Sequence, residues 1–158
     1  MLTGAIIGAV VGLIVIIMMT FAKEQRFNKV LRTIHDPGLS YAALYHYASA
    51  GRFRNALKFF DSYGVLYLAG NTAYYKTSET ASPIAFNLAE CTVQQEPDWK
   101  RMKWFSITTP SGDKYYFNSH KMGAFVNNSD ETLKGLTAIK AKTGARDAGI
   151  HQPPVFPG

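Results

Sequence analysis

Cysteine is almost missing from this chain: Cys91 is the only one among 158 residues. That excludes an intramolecular disulfide framework and any multi-cysteine zinc or iron–sulfur site. Histidine is scarce too. His35, His46, His120 and His151 form no i,i+4 pair and no His-Glu-x-x-His motif, so no metal site is expected. No phosphate-cradling glycine loop or dinucleotide fingerprint occurs: Gly4, Gly8 and Gly12 sit in an apolar run, and the other glycines sit at turns. Ser119 and His120 are adjacent, but consecutive strand residues point to opposite faces, so they do not make a nucleophile–base pair. These absences argue against an enzyme, and no cofactor is expected.

Charged side chains are missing from residues 1–22. A helix over 2–22 would be roughly 31 Å long, which matches a hydrocarbon core of about 30 Å. A cleaved signal peptide fits less well, because Met1-Leu2-Thr3-Gly4 has no lysine or arginine and the apolar run exceeds the usual signal core. The sequence therefore predicts a retained single-pass transmembrane helix. Gly4, Gly8 and Gly12 recur every four residues and put three side-chain-free positions on one face. Such a face suits docking of a second helix, from another copy or from a larger membrane protein. Lys23, Arg26, Lys29 and Arg32 follow, opposed only by Glu24. They suit anionic headgroups, and by the positive-inside rule they place the C-terminal body in the cytoplasm and the N-terminus outside. A first segment, 1–35, is thus a membrane helix with a basic extension.

Asp36-Pro37-Gly38 breaks this helix, and Asp36 and Pro37 suit the cap and first turn of another. Residues 41–50 read as a short aromatic-rich helix ended by Gly51, and 53–60 as a second, with Ala56, Leu57 and Phe60 on one face. The spacing of Tyr47, Gly51, Phe53, Ala56 and Phe60 resembles part of a tetratricopeptide hairpin, without a second copy. A helical connector over 36–61 is the expectation.

From Ser62 the pattern turns to strands. Runs 64–68 and 73–76 flank a tight turn at 69–72; 84–88 and 91–93 follow, then a polar loop over 94–98. Residues 101–108 and 114–118 pair around the Pro110-Ser111-Gly112-Asp113 turn. A helix starting at Ser129 or Asp130 carries Leu133, Leu136 and Ile139 as its apolar stripe and ends at Gly144. The tail, 145–158, holds Pro153, Pro154 and Pro157 and reads as extended. The fold class is α+β: a small antiparallel barrel or sandwich over 62–144, closed by the C-terminal helix.

The runs GVLYLAGNTAYYKT, PIAFNLAECTV and KWFSITTPSGDKYYFNS, followed by a terminal helix, resemble the pleckstrin-homology-like superfold, including its GRAM and bacterial PH-like relatives. The resemblance covers residues 62–143. It implies a module that binds phosphoinositides, peptides or other proteins. Phosphoinositide binders of this superfold usually carry basic residues in and around the first hairpin turn. The matching place here is Ala69-Gly70-Asn71-Thr72, with Lys76 the nearest cation, a departure from that pattern. Lys100, Arg101 and Lys103 form a candidate ligand or partner surface, or else guard a sheet edge.

The net charge of +6 does not mark a nucleic-acid binder. Residues 23–35 carry four bases and one acid, whereas 62–143 carry nine bases and seven acids, so the excess lies beside the apolar run. The sequence as a whole points to a non-catalytic, membrane-anchored interaction module. Its expected role is an accessory or scaffold subunit of a larger membrane complex, docked through the glycine face and the module. Sensing of anionic lipid is the alternative.

Overall fold

The computed structural model describes residues 2–55, 58, 60–99, 101–119 and 129–143; within these, the side chains of residues 2–9, 16, 19, 20, 23 and 129 fall outside the description. Expectations that rest on Ala56, Leu57, Lys100, His120, Gly144, the tail, the Lys23 side chain and the surroundings of Gly4 and Gly8 therefore lie outside the described residues. One long helix, α1 (Leu2–Arg32), precedes seven strands: β1 (Leu39–Ser49), β2 (Ser62–Ala69), β3 (Thr72–Lys76), β4 (Ile84–Asn87), β5 (Thr92–Trp99), β6 (Met102–Thr108) and β7 (Lys114–Ser119). A second helix, α2 (Ser129–Lys140), follows. The strands form one antiparallel sheet in the order β4-β3-β2-β1-β7-β6-β5.

The predicted hairpins form. β2 and β3 pair from Ala69↔Thr72 to Val65↔Lys76, with Gly70 at φ +59° in the turn, where a side chain would be strained. β6 and β7 pair from Thr108↔Lys114 to Phe105↔Phe117. Asp130 and Glu131 stand in the first turn of α2 and Lys140 in its last, in favourable senses for the helix dipole. Leu136 and Ile139 are buried, with Leu133 packed beside them.

Three expectations of secondary structure are corrected. Residues 39–49 are not a connector helix but the central strand of the sheet, paired with β2 on one side and β7 on the other. The physical reason is that both faces of β1 are covered. Tyr45 looks into the core and Tyr41, Ala43 and Tyr47 pack against it, while Ala42 and Leu44 meet α1 on the outside. A strand covered on both faces shows no polar–apolar alternation, so its period was hidden. The sheet therefore begins at β1 and not at residue 62. Residues 51–54 form a turn rather than the start of a second helix, and 94–98 belong to edge strand β5 rather than to a loop.

Among the described residues no helix is long and apolar enough to cross a membrane. The transmembrane anchor is therefore not supported by the described part of α1, even though its backbone runs unbroken over 31 residues. The C-terminal end of α1 is fully integrated into the body. Val30 is buried against Val65 and Tyr67, with Phe27, Ile34 and Tyr74 packed around it. A third cluster, Ala48, Met102 and Trp104, lies on the outer face of the sheet beneath Phe53 and Phe60 of the β1–β2 loop.

Candidate functional site

The register fixes which loops share an end of the sheet. Tyr47↔Ser62, Val65↔Lys76 and Ser49↔Tyr115 bring the β1–β2 loop (50–61), the β3–β4 loop (77–83) and the β6–β7 turn (109–113) to one end. The β2–β3 and β5–β6 turns lie at the other.

At the first end the β1–β2 loop presents cations on an aromatic footing. The Phe53 ring stacks on Tyr116 at 3.9 Å and 12°, and meets Trp104 edge-on at 5.2 Å. This anchors the loop on the outer sheet face. Arg54 is exposed, its guanidinium 5.2 Å from the Phe53 ring centre, and its backbone has φ +64°. A non-glycine residue in that region is uncommon and costs of order 1–2 kcal/mol. Arg52 is held by Asp61 at 3.4 Å, and Asp61 also accepts the Ser49 backbone N–H at 2.7 Å. The exposed Lys58 donates its backbone N–H to Asn55 at 3.1 Å. Three cations thus stand in a loop whose geometry is fixed by rings and by one carboxylate.

Other polar groups serve the framework. Glu96 is buried on β5 and accepts from Lys114 (2.8 Å), Gln94 (2.8 Å) and Ser106 (2.7 Å). Burial would raise its carboxyl, but these hydrogen bonds outweigh burial and hold it below the usual carboxylate range. Tyr41 and Tyr45 lie under α2 with hydroxyls 2.8 Å apart. Tyr45 donates to the Glu131 carbonyl at 2.8 Å and Tyr41 to the Glu131 carboxylate at 3.0 Å. Desolvation pushes both phenols upward, so they stay protonated donors. Burial likewise raises the Cys91 thiol, which packs against the core cluster. Among the described residues no group of three or more His, Cys, Asp or Glu gathers where it could hold a metal ion.

The residues singled out from sequence separate. Arg26 turns inward: its Nη1 donates to the Tyr63 hydroxyl at 2.8 Å, its Nη2 to the Thr77 carbonyl at 2.9 Å, and its guanidinium lies 4.5 Å from the Tyr63 ring centre. Lys29 and Arg32 are exposed. Arg101 is exposed in the β5–β6 turn at φ +62°, and Lys103 pairs with Asp98 at 2.7 Å, so these two form no common strand face. Gly12 has open space where a Cβ would stand. The sequence reading missed Arg52, Arg54 and Lys58 because it took 69–72 as the first hairpin. Once β1 is a strand, the first hairpin closes through 50–61, which holds Arg52, Arg54 and Lys58.

No family model matches the sequence, and no curated protein does. Among solved structures, the chain is similar to the pleckstrin homology domain of ArhGAP27, at 17% identity and a TM-score of 0.46, over 65% of this chain and 97% of that one. It is similar also to the ORP8 PH domain, at 12% identity and a TM-score of 0.46, over 69% and 98%. The structure itself is a seven-stranded antiparallel sheet followed by the helix α2.

Proposed function

We propose that this chain is a non-catalytic interaction module held at a membrane by the N-terminal part of α1, and that it works as an accessory or scaffold subunit of a larger assembly. One observation carries this reading. Val10, Val11, Leu13, Ile14, Val15, Ile17, Met18 and Phe21 are all exposed, between 48% and 66%, along a helix that leaves the body. Such a stem is stable only when lipid or another apolar surface covers it. The uncharged run over 2–22 favours lipid, with Lys23, Arg26, Lys29 and Arg32 setting the module on the cytoplasmic side. Gly4, Gly8 and Gly12 are the proposed contact for a partner helix. The test is the mass of the full chain extracted from its native membrane in mild detergent. Other chains at fixed stoichiometry are expected. A lone monomer in every detergent, extracted from no membrane fraction, would overturn the reading.

A second reading rests on the β1–β2 loop: Arg52, Arg54 and Lys58 contact anionic headgroups, and Lys100, Arg101 and Lys103 do not. Trp104 lies beneath Phe53 of that loop and reports on it. In this reading the indole fluorescence of the full chain in neutral micelles shifts on adding anionic lipid. The shift weakens at high salt and in R54Q/K58Q, and survives in R101Q.

A further inference from the structure

We propose that Arg26 is a positioning residue that fixes the module with its β1–β2 and β3–β4 loops facing the bilayer that holds α1. The proposal rests on the membrane reading above and adds an orientation to it. Sequence assigns Arg26 to a stripe of headgroup-facing cations, but the structure uses it otherwise. Its two nitrogens clamp Tyr63 at the start of β2 and Thr77 just beyond β3, and its charge lies over the Tyr63 ring. Four residues on, Val30 is buried against the middle of β2, and Lys76 donates to Thr33 at 2.9 Å. Eight residues further the chain reaches the far end of the sheet, where the Gly38 carbonyl accepts the Gly70 N–H. These contacts leave α1 one direction along the sheet, with its free part leaving at the end that carries the β1–β2 and β3–β4 loops.

The height of those loops follows from the groove beside the clamp. An open groove of about 340 Å³ is lined by Ala22, Gln25, Arg26, Lys29, Ser78 and Glu79. The groove also reaches Val30, so Ser78 and Glu79 flank the stretch of α1 that starts at Ala22, the last residue of the uncharged run, where a bilayer surface would lie. The β2–β3 turn, by contrast, is placed beside Gly38. From Ala22 to Arg32 the helix alone rises roughly 15 Å, so that turn stands well above the surface. A clamp of two hydrogen bonds with a guanidinium fork holds an angle that one flexible ammonium would not.

The test uses the full chain with Cys91→Ser, reconstituted in vesicles of phosphatidylcholine with phosphatidylserine. Single cysteines at Ile14, Gly51, Thr80 and Asn71 carry a fluorophore, and nitroxide lipids quench it. Nitroxide on the acyl chain is expected to quench the Ile14 label. Nitroxide on the headgroup is expected to quench Gly51 and Thr80 several-fold more than Asn71. R26Q should erase that contrast while Ile14 stays quenched, and R26K should restore it only in part. V30A weakens the same docking without touching the clamp and should keep the contrast, which separates orientation from lost stability. Equal quenching at Gly51 and Asn71 with Ile14 embedded would overturn the orientation and leave the membrane reading standing. An unquenched Ile14 label would overturn both.

Discussion

Gly135 shows how narrowly the residues under α2 are fitted. A Cβ at that position would overlap the Tyr45 hydroxyl and come within 3.1 Å of the Tyr41 hydroxyl. The hydroxyl cannot yield freely, since it donates to the Glu131 carbonyl and touches Tyr41. Gly135→Ala should therefore cost about 1–3 kcal/mol through overpacking, read from chemical denaturation. Tyr45→Phe should cost about 1 kcal/mol for the lost hydrogen bond. Because Tyr45→Phe removes the atom of worst overlap and leaves only the ring Cζ at 2.9 Å, the double variant should be more stable than the sum of the two losses predicts. Strict additivity would mean that the overlap is relieved elsewhere. Glu96 gives a pH-dependent counterpart. Its carboxyl titrates below the usual range in the folded chain, so the stabilisation is fully present above the unfolded value near 4.3. It is lost as pH falls through the lower folded value. Glu96→Gln should flatten the loss of stability between neutral pH and about pH 3, at some cost at neutral pH because Lys114 loses its partner. An unchanged acid limb would show that Glu96 does not carry that dependence.

Elements were legible in the sequence where turn chemistry punctuated them. Gly70, and the Pro110-Ser111-Gly112-Asp113 turn, marked the two hairpins, and the Leu133, Leu136, Ile139 stripe marked α2. β1 was illegible because α1 covers its outer face, so Tyr41-Ala42-Ala43-Leu44-Tyr45 is apolar on both sides and reads as a helix. That one misreading displaced the first hairpin and hid Arg52, Arg54 and Lys58. It also concealed the second function of α1. The helix does more than project from the body, because its last turns complete the outer layer of the sheet. Val30 is 1% exposed there, whereas Val10 is 51% exposed on the free stem. Val30→Ala should cost about 1.5–3 kcal/mol, as expected for a buried aliphatic side chain. Val10→Ala should leave stability within about 0.5 kcal/mol. Equal small effects, measured by denaturation in one detergent, would argue that α1 is not docked on the sheet.

At the scale of the whole molecule, α1 divides into a part the fold needs and a part it does not. The division falls near Ala22. Above it, the described apolar side chains from Val10 to Phe21 are exposed and join none of the clusters; below it, Arg26, Phe27, Val30 and Ile34 close the outer face over Val65, Tyr67 and Tyr74. Two truncations separate these roles. A chain starting at Ala22 keeps the clamp and the packing of Phe27, Val30 and Ile34 against Val65 and Tyr67, and loses only the surface that demands lipid. It should be soluble without detergent and unfold at nearly the temperature of the full chain. A chain starting at Asp36 strips the cover from Val65 and Tyr67, each worth roughly 1.5–3 kcal/mol when buried, a large share of the margin of a small domain. It should melt far lower or aggregate. If the shorter chain matched the longer one in melting temperature, the sheet would not need α1, and the helix would be a tether alone. If both failed, the stem itself would belong to the fold, and its exposed apolar residues would need a protein partner rather than a bilayer to cover them.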